Sequence, residues 1–221
     1  MCGRFTISKN KEVVESFLKD HFEIHDLKDI DLPRYNVSPG QPILAVIKVN
    51  NSYRAGLIPW DYKVKFQNKY KQVINARSET VDQLYSFKKA FKDQRCLVVS
   101  DGFYEWDKLS KQPYRILKKD ESLYFYAGIY DHFTVDGKKL FGLTILTTEA
   151  NELIKDHHHR MPVILDIEKA KTYISNDLSM DEIKSLLEPY PKESMLLYPV
   201  SKAVNSFQND SVDLIKKTTT N

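Results

Sequence analysis

The feature that most restricts how this chain can fold is a succession of short runs rich in β-branched and aromatic residues, set between turn signals, across residues 43–147. Residues 43–49 form a nearly continuous apolar run; Asn50, Asn51 and Ser52 turn the chain, and 53–58 reads as the hairpin partner. Runs at 95–100, 103–106, 113–117, 123–130 and 140–147 repeat the pattern, with turns at Asp101-Gly102, Lys119-Asp120 and Asp136-Gly137. Isolated strands of this length are not stable in water, so a β-rich centre is required. Helix signals stand mostly outside it. Asn10 is placed to cap a helix carrying Val13, Val14, Phe17 and Leu18 on one face, and Thr80 with Gln83 forms a capping-box pattern for a helix ending near Phe91. Thr148 is placed to cap a short helix over 149–155, and two more helices are expected at 168–174 and 180–187, before a final strand at 195–200. The polar residues from Gln208 read as a frayed tail.

A chain of 221 residues can bury a full core as one domain. With 42% hydrophobic and 29% charged residues it has the balance of an ordinary globular protein, and no run approaches a membrane span. The start of the chain lacks a basic-then-apolar signal pattern, and the only cysteines are Cys2 and Cys96, which points to the cytoplasm and away from a disulfide framework. Cys96, inside an apolar run, reads as structural. Net charge of +3 permits an anionic partner without identifying one. Lysines are dense over 63–71 and 108–119, with aromatic residues in or beside each run. That mixture suits single-stranded nucleic acid, and equally a solvated surface of lysines lying over strands. The segment after Pro59-Trp60-Asp61 is expected to be an exposed loop.

Four positions carry candidate chemistry. Removal of Met1 would leave Cys2 with a free amine and a thiol on one residue; the amine can attack an aldehyde to give an imine, and the thiol can close a thiazolidine ring on it. Position alone reads Cys2 equally as a small hydrophobe starting a strand. Asn75 and Arg77 sit at a strand-to-helix junction, where alternation aims them the same way; Asn75 can also serve only to close its own turn. Glu105 lies among Phe103, Tyr104 and Trp106, a setting that favours its acid form if buried and means little if the side chain faces water. Among His157, His158 and His159 one acid or base is more economical than a metal site, because consecutive side chains diverge and no cysteine or carboxylate cluster has matching spacing.

Six blocks, in order along nearly the whole chain, together resemble the SOS response-associated peptidase (SRAP) family: Cys2-Gly3-Arg4-Phe5, Tyr35-Asn36-Val37-Ser38-Pro39, Asn75-Ala76-Arg77-Ser78-Glu79, Gly102-Phe103-Tyr104-Glu105-Trp106, His158-His159-Arg160-Met161-Pro162 and Tyr198-Pro199-Val200-Ser201-Lys202-Ala203-Val204-Asn205. The resemblance implies a sensor of abasic sites in single-stranded DNA that links itself to the lesion through the mature terminal cysteine and shields it during the DNA damage response. It implies a single α+β domain over 1–207, with a β-barrel-like core and peripheral helices, followed by a polar tail at 208–221. Cys2 would be the nucleophile, with Asn75, Glu105 and His158 around it. Arg4, Arg77 and Arg160 would grip phosphates, Trp106 and Trp60 would stack on or wedge between bases, and Pro39 would border the strand. No cofactor or metal is implied. A monomer is expected, with the replication machinery as a candidate partner and association with the nucleoid when bound to damaged DNA. The chain departs from the family pattern at Ala55, where a tryptophan usually precedes Gly-Leu-Ile-Pro, and at His159, where aspartate is frequent; His158 is the functional histidine by position. Two other functions fit part of the pattern: a thiol peptidase that removes its own Met1, and a non-covalent single-strand binding module. Strand cleavage by a lyase step is an expected side reaction of the imine.

Overall fold

The computed structural model describes residues 3–67, 69–135, 137–175 and 177–219, so Cys2 and Met1 lie outside the described residues. Among the described residues two large sheets, antiparallel except for one short strand, share one core. The smaller has five strands in the order Met195–Pro199, Pro113–Lys118, Gly102–Trp106, Phe5–Ile7, Arg34–Val37. The larger runs Arg160–Pro162, Lys138–Glu149, Tyr124–Val135, Arg95–Ser100, Pro42–Val49, Ser52–Pro59, and Asn75–Arg77 joins Lys138–Glu149 in parallel. The chain passes from larger to smaller sheet at Asp101, between two strands that are buried along almost their whole length. Phe5, Val98, Phe103 and Tyr126 are among the side chains sealed between the sheets. This is the α+β fold expected, except that the two sheets stay open and do not close into a barrel.

Helix Lys11–Phe22 begins where the sequence places it, with Asn10 Oδ1 accepting the Val13 N–H at 3.0 Å, a cap of about 1 kcal/mol. Its buried face is Val14, Leu18 and Phe22, and Phe17 stacks on Phe125 at 5.4 Å. Three local expectations are overturned here. The capping box at Thr80 does not form: Val81 is buried, the Thr80 carbonyl accepts from Gln83 and Leu84 in a tight turn, and the helix runs only over Tyr85–Asp93. No helix forms over 149–155, because strand Lys138–Glu149 continues through Thr148 to pair Glu149 with Arg160, and Asn151 then organises a series of turns by accepting the Leu153 N–H. The lysine-rich segment is a hairpin rather than a loop, Tyr62–Phe66 against Lys69–Val73. Its root is admitted by Gly142, where a Cβ would lie 2.3 Å from the Asp61 carbonyl oxygen.

The residues from 208 are docked instead of frayed. Leu214 is buried with Tyr104, Val200 and Val204 in a satellite core on the outer face of the smaller sheet. Thr218 N–H donates to the Pro199 carbonyl at 2.9 Å, and Asp210 accepts the Tyr35 N–H at 2.6 Å. No helix among the described residues is long and apolar enough to cross a membrane.

Candidate active site and nucleic-acid interface

Strand Phe5–Ile7 pairs with Gly102–Trp106 in the register Phe5 to Phe103 and Thr6 to Gly102, and the Tyr104 N–H donates to the Arg4 carbonyl at 3.0 Å. In that antiparallel register Gly3 is level with Glu105. Glu105 is only 3% exposed, and its Oε1 has no hydrogen-bond partner among the described residues. Desolvation raises its pKa to about 7, against the opposing pull of the amino-terminal positive charge. At neutral pH this carboxyl is therefore poised between donor and acceptor of a proton.

His158 lies in the turns after residue 151. The preceding residue anchors that segment to the smaller sheet: the His157 ring packs on Tyr114 at 4.5 Å, and Tyr114 is the cross-strand partner of Glu105. His158 Nδ1 accepts the Arg160 N–H at 2.9 Å, so the neutral ring carries its proton on Nε2. Its pKa is lowered to about 4, first by desolvation and then by the amino-terminal charge, which keeps it a neutral hydrogen-bond donor at physiological pH. His159 stacks on it at 4.4 Å.

Asn75 stands on the larger sheet, paired with Ile145, half-buried and with its Oδ1 sealed from solvent. What ties it to the smaller sheet is Trp60. That indole is fully buried, meets Phe5 edge to face at 5.4 Å, and donates from Nε1 to the carbonyl of Ile74, the residue before Asn75, at 2.8 Å. Its backbone also holds the Pro39 loop, accepting from the Gly40 N–H at 3.0 Å and donating to the Gln41 carbonyl at 2.9 Å. Trp60 thus presents no face to a base, and its expected role as a stacking residue is replaced by one of positioning. Trp106 is half-buried at the end of the central strand of the smaller sheet and donates from Nε1 to Asn205 Oδ1 at 2.7 Å.

The three arginines part company. Arg77 is exposed at the end of its strand. Arg160 is buried; its guanidinium makes two parallel bonds of 2.8 Å to Glu79 and a third to the Thr147 carbonyl, so it is engaged inside the protein and is not a free phosphate clamp. Burial alone would raise the Glu79 carboxyl, but the Arg160 hydrogen bonds, together with the charges of Arg160 and Arg77, hold it below its ordinary value. Glu79 is the neighbour that the sequence did not reveal: it sits within a quoted block, yet nothing local marks it as the partner of a residue 81 positions away. Arg4 donates to Asn36 Oδ1 at 2.8 Å and to the carbonyls of Val204 and Asn205, and it lines an open cavity of about 440 Å³ with Ser38, Pro39, Gln41 and Phe207. Cys96 is buried and free, and desolvation pushes its thiol pKa up, as befits a structural cysteine. No group of three or more metal-ligating side chains occurs among the described residues.

Residues 1–207 match the family model described as SOS response associated peptidase (SRAP). The abasic site processing protein YoqW of Bacillus subtilis (strain 168) is 39% identical over 98% of this chain and 99% of its own. The abasic site processing protein YedK of Escherichia coli (strain K12) is 29% identical over 98% and 99%. A crystal structure of a protein from Bacteroides thetaiotaomicron superposes with a TM-score of 0.78 at 25% identity, covering 99% of this chain and all of that one.

Proposed function

The chain belongs to the SOS response-associated peptidase family, and on that premise we propose that it senses abasic sites in single-stranded DNA and captures them covalently through Cys2. The observation that carries this reading is Glu105, a buried carboxyl with a pKa of about 7, subject with His158 to the amino-terminal charge. An abasic deoxyribose is mostly a closed hemiacetal. Glu105 takes the hydroxyl proton and returns one to the ring oxygen, which opens the sugar to its aldehyde. The Cys2 amine then adds to the carbonyl carbon; Glu105 protonates the departing hydroxyl, one water leaves, and an imine remains. The thiol sulfur adds to the imine carbon, its proton passes to nitrogen, and the thiazolidine closes, so the net change is one carbon–sulfur bond, one carbon–nitrogen bond and one water lost.

In this scheme His158 Nε2–H donates to the developing oxygen charge, and the Asn75 amide holds the amine or the sugar oxygen. Arg77 meets a flanking phosphate and Trp106 offers the exposed part of its ring to a base. Strand cleavage by β-elimination competes if ring closure is slow. A thiol peptidase fits less well, since it draws its thiolate from a neighbouring imidazolium, and a histidine held to about 4 does not supply one at neutral pH. The test is intact-mass analysis and a denaturing gel of protein mixed with a single-stranded oligonucleotide bearing one abasic site. An adduct of protein without Met1 plus DNA less one water is expected, absent with lesion-free DNA and with Cys2→Ala. If Met1 is gone and no adduct forms, the covalent reading fails.

A further inference from the structure

Two stretches of the chain are dense in positive charge, 62–73 and 108–119; in the second Arg115 and Lys118 are engaged by Asp101 and Asp166, whereas the first projects as a hairpin outside the chemical site. Residues 62–73 hold four lysines and no acidic residue, whereas the whole chain nets only +3, so outside this hairpin acids outnumber bases by one. The hairpin root is anchored in the core. Tyr62 is buried, with its ring 4.8 Å from Phe133 and its hydroxyl donating to the Ser86 carbonyl at 2.8 Å, and Gln72 reaches back to the Trp60 carbonyl. The free end is different. Lys63 is paired with Asp61 at 2.8 Å, but Lys65, Lys69 and Lys71 make no ion pair among the described residues. Phe66 is 56% exposed with the Lys71 ammonium 4.4 Å over its ring, and Tyr85, across a cavity of about 270 Å³ from the hairpin, is 99% exposed. Lys65 and Lys89 line that cavity, with Asp131 its acidic residue among those described.

We propose that this hairpin is a second, lesion-independent contact that holds the single strand flanking the abasic site. Three observations specify the occupant. Unpaired ammonium groups beside exposed rings fit phosphates and unstacked bases together, the combination that single-strand surfaces use. The strand Lys69–Val73 runs through Ile74 directly into Asn75, so a strand leaving the site has the hairpin in its path. At about 3.3 Å per residue the five-residue arms reach about 16 Å outward, enough to follow the backbone beyond the lesion itself. The inference deepens the proposed function by naming where the flanking strand lies, and it rests on that reading only for the lesion.

The test measures binding of Cys2→Ala protein to a lesion-free single-stranded oligothymidylate by fluorescence anisotropy across a salt series, with and without Lys65→Gln/Lys69→Gln/Lys71→Gln. Loss of three phosphate contacts should lower the slope of log affinity against log salt by about 2. Phe66→Ala, at an exposed position that leaves the fold intact, should weaken binding roughly tenfold if a base stacks there. With Cys2 restored, the triple variant should capture a long abasic strand more slowly at limiting concentration, and a strand too short to reach the hairpin at the wild-type rate. Unchanged affinity and slope in the triple variant would overturn the proposal and leave an acidic protein segment as the occupant; an equal loss on duplex of the same length would overturn its single-strand form. Hairpin-dependent binding without covalent capture would sink only the covalent reading, and capture with hairpin-independent binding only this one.

Discussion

Asp101 and Glu105 are four residues apart on one stretch of chain, both almost completely buried, and they are equipped in opposite ways. Asp101 accepts from the Thr6 hydroxyl at 2.5 Å, from the Ser8 N–H at 2.7 Å and hydroxyl at 2.6 Å, and faces the Arg115 guanidinium at 3.4 Å. Those donors stitch the amino-terminal strand to the crossing point between the sheets, and Arg115 in turn donates to the Tyr198 hydroxyl at 3.0 Å. Glu105 has no such company at Oε1 among the described residues, and desolvation lifts its pKa to about 7. The difference teaches that burial alone does not make a carboxylate structural or chemical. A saturated one holds the fold, whereas one whose protons are contested near neutrality can exchange them with a substrate.

The contrast is broken first at its structural end. Asp101→Asn leaves Arg115 buried without its counter-charge and should cost about 3–5 kcal/mol in urea denaturation. A loss below about 1 kcal/mol would mean that the two carboxylates are not so different. At the chemical end, Glu105→Gln should slow adduct formation about 100-fold while sparing the fold. Its stability effect has a definite sign. Below an ordinary carboxyl pKa of 4.5 both folded and unfolded wild type are protonated, and the variant matches it. As pH rises from there to about 7 only the unfolded chain ionises, so wild-type stability falls. By pH 8 the glutamine variant should be more stable by about 3 kcal/mol relative to wild type. Paired melting curves at pH 4 and pH 8 check it; a gap that does not widen would show that Glu105 ionises freely. The same profile in capture kinetics should show the wild-type rate losing its acid-dependent limb above about pH 7 and the variant lacking that limb.

Smaller effects sharpen the division between engaged and available cations. Arg160→Lys gives up the forked bond to Glu79 and should cost about 2 kcal/mol, with some loss of capture through the displaced His158, whose Nδ1 the Arg160 backbone holds. Arg77→Gln, at an exposed position, should change stability by less than about 0.5 kcal/mol and instead lower the salt slope of DNA binding by about 0.7. Equal stability losses for the two variants would erase the distinction.

Legibility in the sequence followed the range of the physics. Runs of β-branched and aromatic residues between turn signals marked most of the larger strands, and Asn10 marked the start of its helix, because strand propensity, turns and capping are settled among near neighbours. Thr80 and Thr148 carried equally good local signals and lost to a buried Val81 and to strand pairing with Arg160 and Met161. The tail looked frayed because its polar composition hides Leu214, whose burial depends on a strand surface that exists only after the smaller sheet has formed. In the site, Glu105 among aromatics was readable as a perturbed carboxyl, while Trp60, Arg4 and Arg160 were indistinguishable from surface residues that bind DNA.

By itself, then, the sequence determined the α+β class, the buried strand around Cys96, the six blocks that announce the family, and the residue types able to carry aldehyde chemistry. Tertiary structure decided which of those groups remain available to a ligand. Trp60 turned inward to brace Asn75 through Ile74, Arg160 found Glu79, and a run of lysines became a hairpin. The physical reason is that hydrogen bonds, ion pairs and desolvation depend on which atoms meet across distant parts of the chain, and a residue's own neighbours in sequence carry no record of those meetings.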